Sequence, residues 1–167
     1  MATDGETAAS PSGTRVATEG SDGQADSSRR GRRGLARITV HRRVEWADTD
    51  AAGHHHFSAP LRWVEHAESL LYDRLGIVDF IAALVPRVHF DIDYFSRLQY
   101  RDMYELTLVV KRLGRSSLTY RFEIKSADHM VAEGTLVVVL TGLSDRKPRP
   151  WPEQVRSILA EAGDQSQ

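Results

Sequence analysis

The chain has 167 residues, of which 41% are hydrophobic, enough for one domain with a buried core. Its formal net charge of -1 gives no global field that would favour nucleic acid or an anionic membrane, and no apolar run approaches the ~20 residues of a membrane span, so neither partner is expected. Cysteine is absent, which excludes disulfides, thiolate metal sites and a cysteine nucleophile, and we expect a cytoplasmic protein.

Residues 1–36 predict a disordered N-terminal tail. Small and polar residues dominate, and Met1 and Val16 are the only large apolar side chains before Leu35, too few to offset the entropy of ordering the segment. The arginine cluster at 29–33 is not followed by the apolar stretch that an export signal needs, so we interpret it as part of a solvated linker.

Alternating apolar and polar residues predict a half-buried strand from Arg37 to Trp46. A helix is predicted from the N-cap residue Ser58 to Leu75, with Gly76 as the C′ residue. Its apolar side chains cover about half of the helical wheel, an arc that is typical of a helix enclosed by a sheet. They are Leu61, Trp63, Val64, Ala67, Leu70, Leu71, Tyr72 and Leu75.

Four further strands are predicted at about 88–94, 104–111, 118–125 and 130–141, joined mostly by hairpins. The order of elements predicts an α+β domain over residues 37–145, in which one long central helix is wrapped by a five-stranded antiparallel sheet. One helix cannot cover both faces of such a sheet, so we expect self-association through the remaining apolar edge and face. Residues 146–167 predict a Pro-rich C-terminal extension with a short helix.

The chemistry of the chain is concentrated between Val44 and Gly76. Two carboxylates, a glycine and three consecutive histidines precede the predicted helix there. The segment WADTDAAG at Trp46–Gly53, together with WVEHA at Trp63–Ala67, resembles the hotdog-fold acyl-CoA thioesterases of the 4-hydroxybenzoyl-CoA thioesterase type. The resemblance extends over about Ile38 to Leu143, which is the whole predicted domain.

This resemblance implies a hotdog protomer that forms a homodimer with a continuous sheet or a homotetramer, with active sites at the protomer boundary. The implied reaction hydrolyses an acyl-CoA or acyl-carrier-protein thioester, with coenzyme A as part of the substrate and no separate cofactor. Asp50 matches the catalytic carboxylate, the amides of Phe57 and Ser58 match the oxyanion donors, and Glu65 matches a second polar participant. The residues at 54–56 depart from the family pattern, so its acyl specificity does not transfer.

The physical chemistry of the segment agrees with these roles. The carboxylate of Asp50 can act as nucleophile or as general base, and the start of a helix supplies free N–H groups for an oxyanion. For Asp48 we favour a structural role, accepting hydrogen bonds from loop amides. Gly53 is expected in the substrate-binding part of the loop, and basic residues near strand ends, including Arg97 and Arg101, are candidates to bind phosphates of coenzyme A.

The triplet His54, His55 and His56 has several interpretations. We favour pocket lining for His54 and His55, whereas His56 could protonate the leaving thiolate or orient water; metal ligation and plain loop polarity are the alternatives. Adjacent residues of an extended segment point to alternate sides, so at most two of the three would converge without a special loop, and we expect no metal site. Glu65 either meets the site of a partner protomer or pairs with Arg62 or with a cation across the interface.

Two further functions fit the same fold. A non-catalytic hotdog protein could bind an acyl ligand or a metal through residues 54–56, and a hydratase or dehydratase is a weaker option because the expected His-Asp arrangement is not evident. We also expect His66 and Glu68 on the polar face of the helix or in an interface.

Overall fold

The computed structural model of the chain describes residues 34–81 and 85–166. Apart from its last three residues, the tail predicted for residues 1–36 lies outside these ranges. The described part contains β1 (Arg37–Arg43), α1 (Ala59–Arg74), α2 (Val78–Ile81), β2 (Arg87–Tyr94), β3 (Met103–Leu113), β4 (Ser117–Ser126), β5 (His129–Val139) and α3 (Glu153–Glu161). None of the helices in those ranges is long and apolar enough to cross a membrane.

The five strands form one sheet in the order β1-β3-β4-β5-β2, in which every neighbouring pair is antiparallel. The long helix α1 packs against β1 and β3. Tyr120 and Phe122 of the central strand β4 are fully buried, and the ring of Phe90 from β2 stacks on Phe122 with 5.3 Å between centroids. The predicted α+β class, with a central helix and a five-stranded antiparallel sheet, is confirmed.

The ends of α1 agree with the sequence prediction. Ser58 is the N-cap residue, Leu75 is the C-cap residue, and Gly76 follows with a φ of 64°, a conformation that glycine adopts without strain. The hydroxyl of Ser58 makes no capping bond, however, because it is hydrogen-bonded to Nδ1 of His56 at 2.8 Å.

The prediction that the first strand continues to Trp46 is wrong. The strand ends at Arg43, and Trp46 begins a 3-10 turn that runs to Asp48. A carboxylate oxygen of Asp48 accepts the backbone N–H of Glu45 at 3.1 Å, which closes the turn and takes Trp46 out of the strand pleat. The Trp46 side chain is consequently 74% exposed.

The C-terminal extension packs onto the sheet, and its predicted helix is present as α3. Trp151, Val155 and Leu159 are buried in the core. Beyond α3 the chain pairs with β1, since the N–H of Arg37 donates to the carbonyl of Gly163 at 2.9 Å. This segment covers the outer edge of β1 and leaves β2 as the open edge of the sheet.

The outer face of β4 is charged, so the expectation of an apolar outer face is wrong for this strand. Arg121 pairs with Glu133 at 2.9 Å and with Glu123 at 3.2 Å, and Lys125 pairs with Glu123 at 3.0 Å. The strand β5 is apolar from Leu136 to Val139, and it lies between β4 and β2, where its inward residues Leu136 and Val138 are buried. The expectation of self-association therefore applies mainly to the open edge at β2, among the residues that the structure describes.

Candidate active site

Asp50 lies in the tight loop between the 3-10 turn and α1. The N–H of Gly53 donates to the Asp50 carbonyl at 3.0 Å, and Gly53 has a φ of 81°, which a residue with a Cβ rarely adopts. Oδ1 of Asp50 accepts the N–H of Ala52 at 2.8 Å. Its other carboxylate oxygen has no hydrogen-bond partner in residues 34–81 and 85–166, and the side chain is exposed. One oxygen is thus held by the loop and the other is free to react.

Asp48 has the structural role expected for it. Its carboxylate is buried and accepts a hydrogen bond from Nη2 of Arg62 at 3.0 Å in addition to the turn amide. Its carbonyl accepts the N–H of His56 at 2.7 Å. The Asp48–Arg62 pair therefore ties the loop that carries Asp50 to the first turns of α1.

His55 is buried, and Nδ1 of its ring accepts the N–H of Leu98 at 3.0 Å. A ring that accepts at Nδ1 carries its proton at Nε2 when it is neutral. Burial lowers the pKa of His55 below its usual 6.5, because the charged form is poorly solvated there. The ring packs against Trp63 at 5.6 Å and Tyr94 at 6.3 Å between centroids, so its orientation is fixed. His55 thus offers a neutral Nε2–H donor.

His54 and His56, on either side of His55, are present as different tautomers. Nδ1 of His56 accepts the N–H of Ser58 at 3.2 Å, which leaves Nε2–H as a donor. Nδ1 of His54 lies 3.0 Å from the carbonyl oxygen of His55 and must donate to it, so Nε2 of His54 is an acceptor. Backbone partners, which sequence does not reveal, select these states.

The amides around the N-terminus of α1 differ in their hydrogen bonds. The N–H of Ser58 is taken by His56, as described above, and the N–H of Ala59 donates to the His56 carbonyl at 2.8 Å. The N–H of Phe57 has no partner among the described residues. The hydroxyl of Tyr94 donates to the carbonyl of Phe57 and so fixes the next peptide group, which joins Phe57 to Ser58.

Two cavities meet at Asp50. The first, which we call the histidine cavity, has a volume of about 370 Å³ and is lined by Asp50, His54, His55, His56, Phe57, Tyr94, Ser96 and Arg97. The second, the tryptophan cavity, has a volume of about 430 Å³ and is lined by Trp46, Thr49, Asp50, Ala51, Gly53 and Tyr100. Asp50 belongs to both linings.

All three histidines line the histidine cavity, and the loop that carries them has the special shape that bringing them together requires. The segment is not regularly extended, because Thr49 bridges to His55 and His54 bridges to Gln99. Within residues 34–81 and 85–166, no group of three His, Cys, Asp or Glu side chains is arranged to hold a metal ion. In the tautomers described above, the Nδ1 atom of each of the three histidines is hydrogen-bonded to another group of the protein.

Glu65 lines neither cavity. Its carboxylate pairs with Arg87 at 3.3 Å, whereas the predicted alternative partner Arg62 pairs with Asp48. Arg87 is the first residue of β2, so the Glu65–Arg87 pair lies beside the open edge of the sheet. The structure therefore separates Glu65 from the other predicted site residues of the same protomer.

Sequence reasoning was wrong about Glu68, which is 1% exposed and not on a polar face. Oε1 accepts the hydroxyl of Tyr72 at 2.6 Å, Oε2 is bound by Arg87, and the hydroxyl of Tyr120 donates to that of Tyr72 at 2.9 Å. Burial raises the pKa of Glu68, and the bonds from Tyr72 and Arg87 oppose the increase. The i,i+4 spacing of Glu68 and Tyr72 was the one available signal.

The cavity walls contributed by Tyr94, Ser96 and Tyr100 were also missed. These residues are about 40 to 50 positions from Asp50 in sequence, and the pairing of His54 with Gln99 brings the two loops together. Nothing in the local sequence predicts that bridge. Arg97 was a candidate phosphate ligand, and it now lines the histidine cavity without an ion-pair partner among the described residues.

A family model described as the thioesterase-like superfamily matches residues 44–159 of this chain. A 1,4-dihydroxy-2-naphthoyl-CoA hydrolase of Synechococcus sp. (strain CC9605) is 27% identical over 128 residues, which cover 71% of this chain and 86% of that protein. A protein of the same name from Prochlorococcus marinus (strain SARG) is 31% identical over 107 residues, which cover 57% of this chain and 69% of that protein.

Solved structures give the same result for the fold. A 1,4-dihydroxy-2-naphthoyl-CoA thioesterase from Synechocystis aligns with a TM-score of 0.65 and 26% identity over 74% of this chain and 95% of that one. A mutant 4-hydroxybenzoyl CoA thioesterase complexed with 4-hydroxybenzoyl CoA aligns with a TM-score of 0.66 and 17% identity over 74% and 99%. The predicted hotdog fold is confirmed by these likenesses.

Proposed function

The chain belongs to the thioesterase-like superfamily and is a CoA thioesterase, and we propose that Asp50 and the Phe57 amide form its catalytic centre. The observation that carries the proposal is that Asp50 and Phe57 line one cavity, and that a carboxylate oxygen of the first and the backbone N–H of the second have no hydrogen-bond partner among the described residues. Thioester hydrolysis requires a nucleophile or base and a donor for the oxyanion, and these two groups supply them.

In the proposed reaction, the free oxygen of Asp50 attacks the thioester carbonyl carbon, or takes a proton from the water that attacks it. The carbonyl oxygen becomes an oxyanion that accepts the Phe57 N–H, an interaction worth about 10²–10³ in turnover. The carbon–sulfur bond then breaks, the departing thiolate accepts a hydrogen bond from Nε2–H of His56, and it takes the proton that the consumed water releases. In the nucleophilic route, water hydrolyses the resulting Asp50 anhydride. Either route releases the free acid and the thiol.

The remaining histidines bind and orient the substrate in this proposal. The Nε2–H of His55 is a neutral donor held inside the cavity, which suits an acceptor on the substrate such as a carbonyl or hydroxyl oxygen. The unpaired guanidinium of Arg97 suits a phosphate of coenzyme A. The named relatives act on 1,4-dihydroxy-2-naphthoyl-CoA, and we propose an aromatic acyl-CoA for this chain as well.

We propose further that the protein acts as a homodimer formed along β2, which is the open edge of the sheet. The edge carries exposed apolar side chains, including Val88, which is 58% exposed, and Phe95, which is 59% exposed. Burying these side chains against a second protomer removes apolar surface from water and is therefore favourable. Because Glu65 of α1 pairs with Arg87, the first residue of this strand, Glu65 would reach a catalytic site only across the dimer interface. The charged outer face of β4 offers no apolar surface through which two dimers would pair into a tetramer.

The test measures release of free thiol from a panel of acetyl-, hexanoyl-, palmitoyl-, benzoyl- and 1,4-dihydroxy-2-naphthoyl-CoA. With the best substrate, Asp50→Asn is expected to lower turnover at least ~100-fold while the melting temperature stays within a few degrees. The control Asp128→Asn removes an exposed carboxylate from the β4–β5 turn and is expected to retain activity. Near wild-type turnover in Asp50→Asn would overturn the assignment, and no turnover on any thioester would favour the non-catalytic alternative.

A further inference from the structure

The tryptophan cavity has no role in the mechanism above, although its walls are unusual for a protein surface. Trp46 is 74% exposed, and its ring meets that of Tyr100 edge to face, with 5.7 Å between centroids and an angle of 87°. The guanidinium of Arg101 lies 5.0 Å from the centroid of the Tyr100 ring and helps to fix it. These two large aromatic side chains contact each other and together form one wall of a space that is open to solvent.

Charge divides the two cavities. Within the part of the chain that the structure describes, the lining of the histidine cavity has three imidazoles and Arg97, which has no ion-pair partner there, whereas the lining of the tryptophan cavity has no cationic side chain. A CoA thioester has phosphates at the end of its thiol arm, and these are bound by cations. An uncharged aromatic acyl group needs apolar and aromatic walls instead. The two arms of the substrate therefore match different cavities.

Asp50 supplies the connection between them, because it belongs to both linings. In a thioester the reacting carbonyl carbon has the acyl group on one side and sulfur on the other. A carboxylate that attacks this carbon, or activates water beside it, must lie where the two arms meet. The boundary between the cavities fulfils that requirement.

We propose that the tryptophan cavity is the acyl subsite and takes an aromatic acyl ring against Trp46 and Tyr100, while the pantetheine arm leaves through the histidine cavity past Arg97. This inference rests on the proposed thioesterase function and adds the two residues that select the acyl group. The volume of about 430 Å³ is ample for one or two fused rings, since a cavity of ~150 Å³ already accommodates benzene. Ring edges and faces of an aromatic pair favour another aromatic ring over an alkyl chain of equal size.

The kinetic test compares benzoyl-CoA with butyryl-CoA in Trp46→Ala and Tyr100→Ala. We expect kcat/KM for benzoyl-CoA to fall at least ~10-fold, mainly through KM, and kcat/KM for butyryl-CoA to change less than ~3-fold. Trp46→Phe is expected to retain most of the activity on benzoyl-CoA. The control Leu143→Ala removes an apolar side chain of matching exposure, 75%, and is expected to change neither value. Equal losses on both substrates, or no loss, would overturn the subsite.

A second readout does not depend on turnover. Isothermal titration with phenacyl-CoA, a thioether that cannot be hydrolysed, is expected to show at least ~10-fold weaker binding in Trp46→Ala, with binding of free coenzyme A unchanged. If the wild type hydrolyses no thioester, the proposed function fails but this titration still decides the subsite. Unchanged or undetectable phenacyl-CoA binding would overturn it. The subsite would also be overturned if light scattering showed that Trp46→Ala alters the oligomeric mass while phenacyl-CoA binding is unchanged, since Trp46 would then belong to a protein interface.

Discussion

Nδ1 of His56 accepts the backbone N–H of Ser58 at 3.2 Å, so the side chain just before the helix removes one of the donors that the helix start would otherwise offer. The adjacent amide of Phe57 is left free within the described chain. The same hydrogen bond assigns the His56 proton to Nε2, on the atom that can reach a leaving group. One side chain therefore determines which amide is available and which histidine nitrogen is a donor.

His56→Ala is expected to lower turnover of CoA thioesters by up to about 10²-fold, because the leaving thiolate loses the hydrogen-bond donor that stabilises its charge. The loss is expected to shrink towards none with aryl thioesters of nitrothiophenol, whose acidic thiol leaves without a proton. Thiol release from both substrate classes measures the two effects separately. An equal loss for both leaving groups would instead point to a purely positional role of His56.

Gly53→Ala is expected to cost about 1 kcal/mol of unfolding free energy, since the backbone has a φ of 81° but an added Cβ would meet nothing within 4 Å. Relief of that strain moves the loop that carries Asp50, so turnover is expected to fall at least ~10-fold. Gly76→Ala is the matched control, with a φ of 64° and equally open space at the far end of α1. Chemical denaturation is expected to give similar losses for both variants, with activity lost only in Gly53→Ala. Full activity in Gly53→Ala would show that the loop shape does not matter.

Arg87→Met is expected to destabilise the protein in a pH-dependent manner through Glu68. Burial already raises the Glu68 pKa above its usual 4.5, and loss of the guanidinium raises it further. A raised folded-state pKa gives stability that is fully present below the unfolded-state value and is lost as pH rises through the folded-state value. We therefore expect little cost near pH 4.5 and roughly 2 kcal/mol at about pH 8, less than the ~3–5 kcal/mol of a fully buried pair because Arg87 is partly exposed.

Urea denaturation at several pH values measures this profile. Glu65→Gln is the control, because it removes the exposed partner of the same arginine and is expected to change stability by less than about 1 kcal/mol at any pH. A cost for Arg87→Met that does not vary with pH would show that Glu68 does not titrate as described.

Val88→Asp is expected to convert the dimer to a monomer by adding a charge to the open edge of β2, where Val88 is 58% exposed. Light scattering is expected to give half of the wild-type molar mass, with helix and strand content unchanged by circular dichroism. Leu143→Asp places the same charge at a side chain that is 75% exposed outside the sheet, and is expected to leave the mass unchanged. A dimeric Val88→Asp, or a monomeric wild type, contradicts association through this edge.

The sequence predicted those features that depend on local pattern. The apolar periods of α1 and of the strands, and Gly76 at the end of the helix, are each determined by residues within a few positions of one another. Trp46 was predicted wrongly because an apolar residue in an alternating pattern is expected to face the core. The turn that exposes it depends on a side-chain bond from Asp48 that overrides the pattern.

Only the part of the candidate site that lies in the loop around Asp50 was predictable from the sequence. Asp50 and the residues from Gly53 to Ser58 stand together in the sequence, whereas Tyr94, Arg97 and Tyr100 reach them through long-range pairing. Glu68 was misjudged for the same reason, since its partner Arg87 belongs to a strand beyond the helix. An analysis of periodicity counts every carboxylate as polar, and it gives no information on a cation, distant in sequence, that pairs with the carboxylate in the core.

The most direct test of the catalytic centre is the infrared spectrum of benzoyl-CoA, labelled with ¹³C at the thioester carbonyl, bound to Asp50→Asn. If the carbonyl lies beside Asp50 and accepts the Phe57 amide, the ligand will stay intact and its carbonyl band will move to lower frequency than in water, since the amide polarises the bond. Rapid hydrolysis by this variant, or a bound carbonyl band at its solution frequency, would contradict the account.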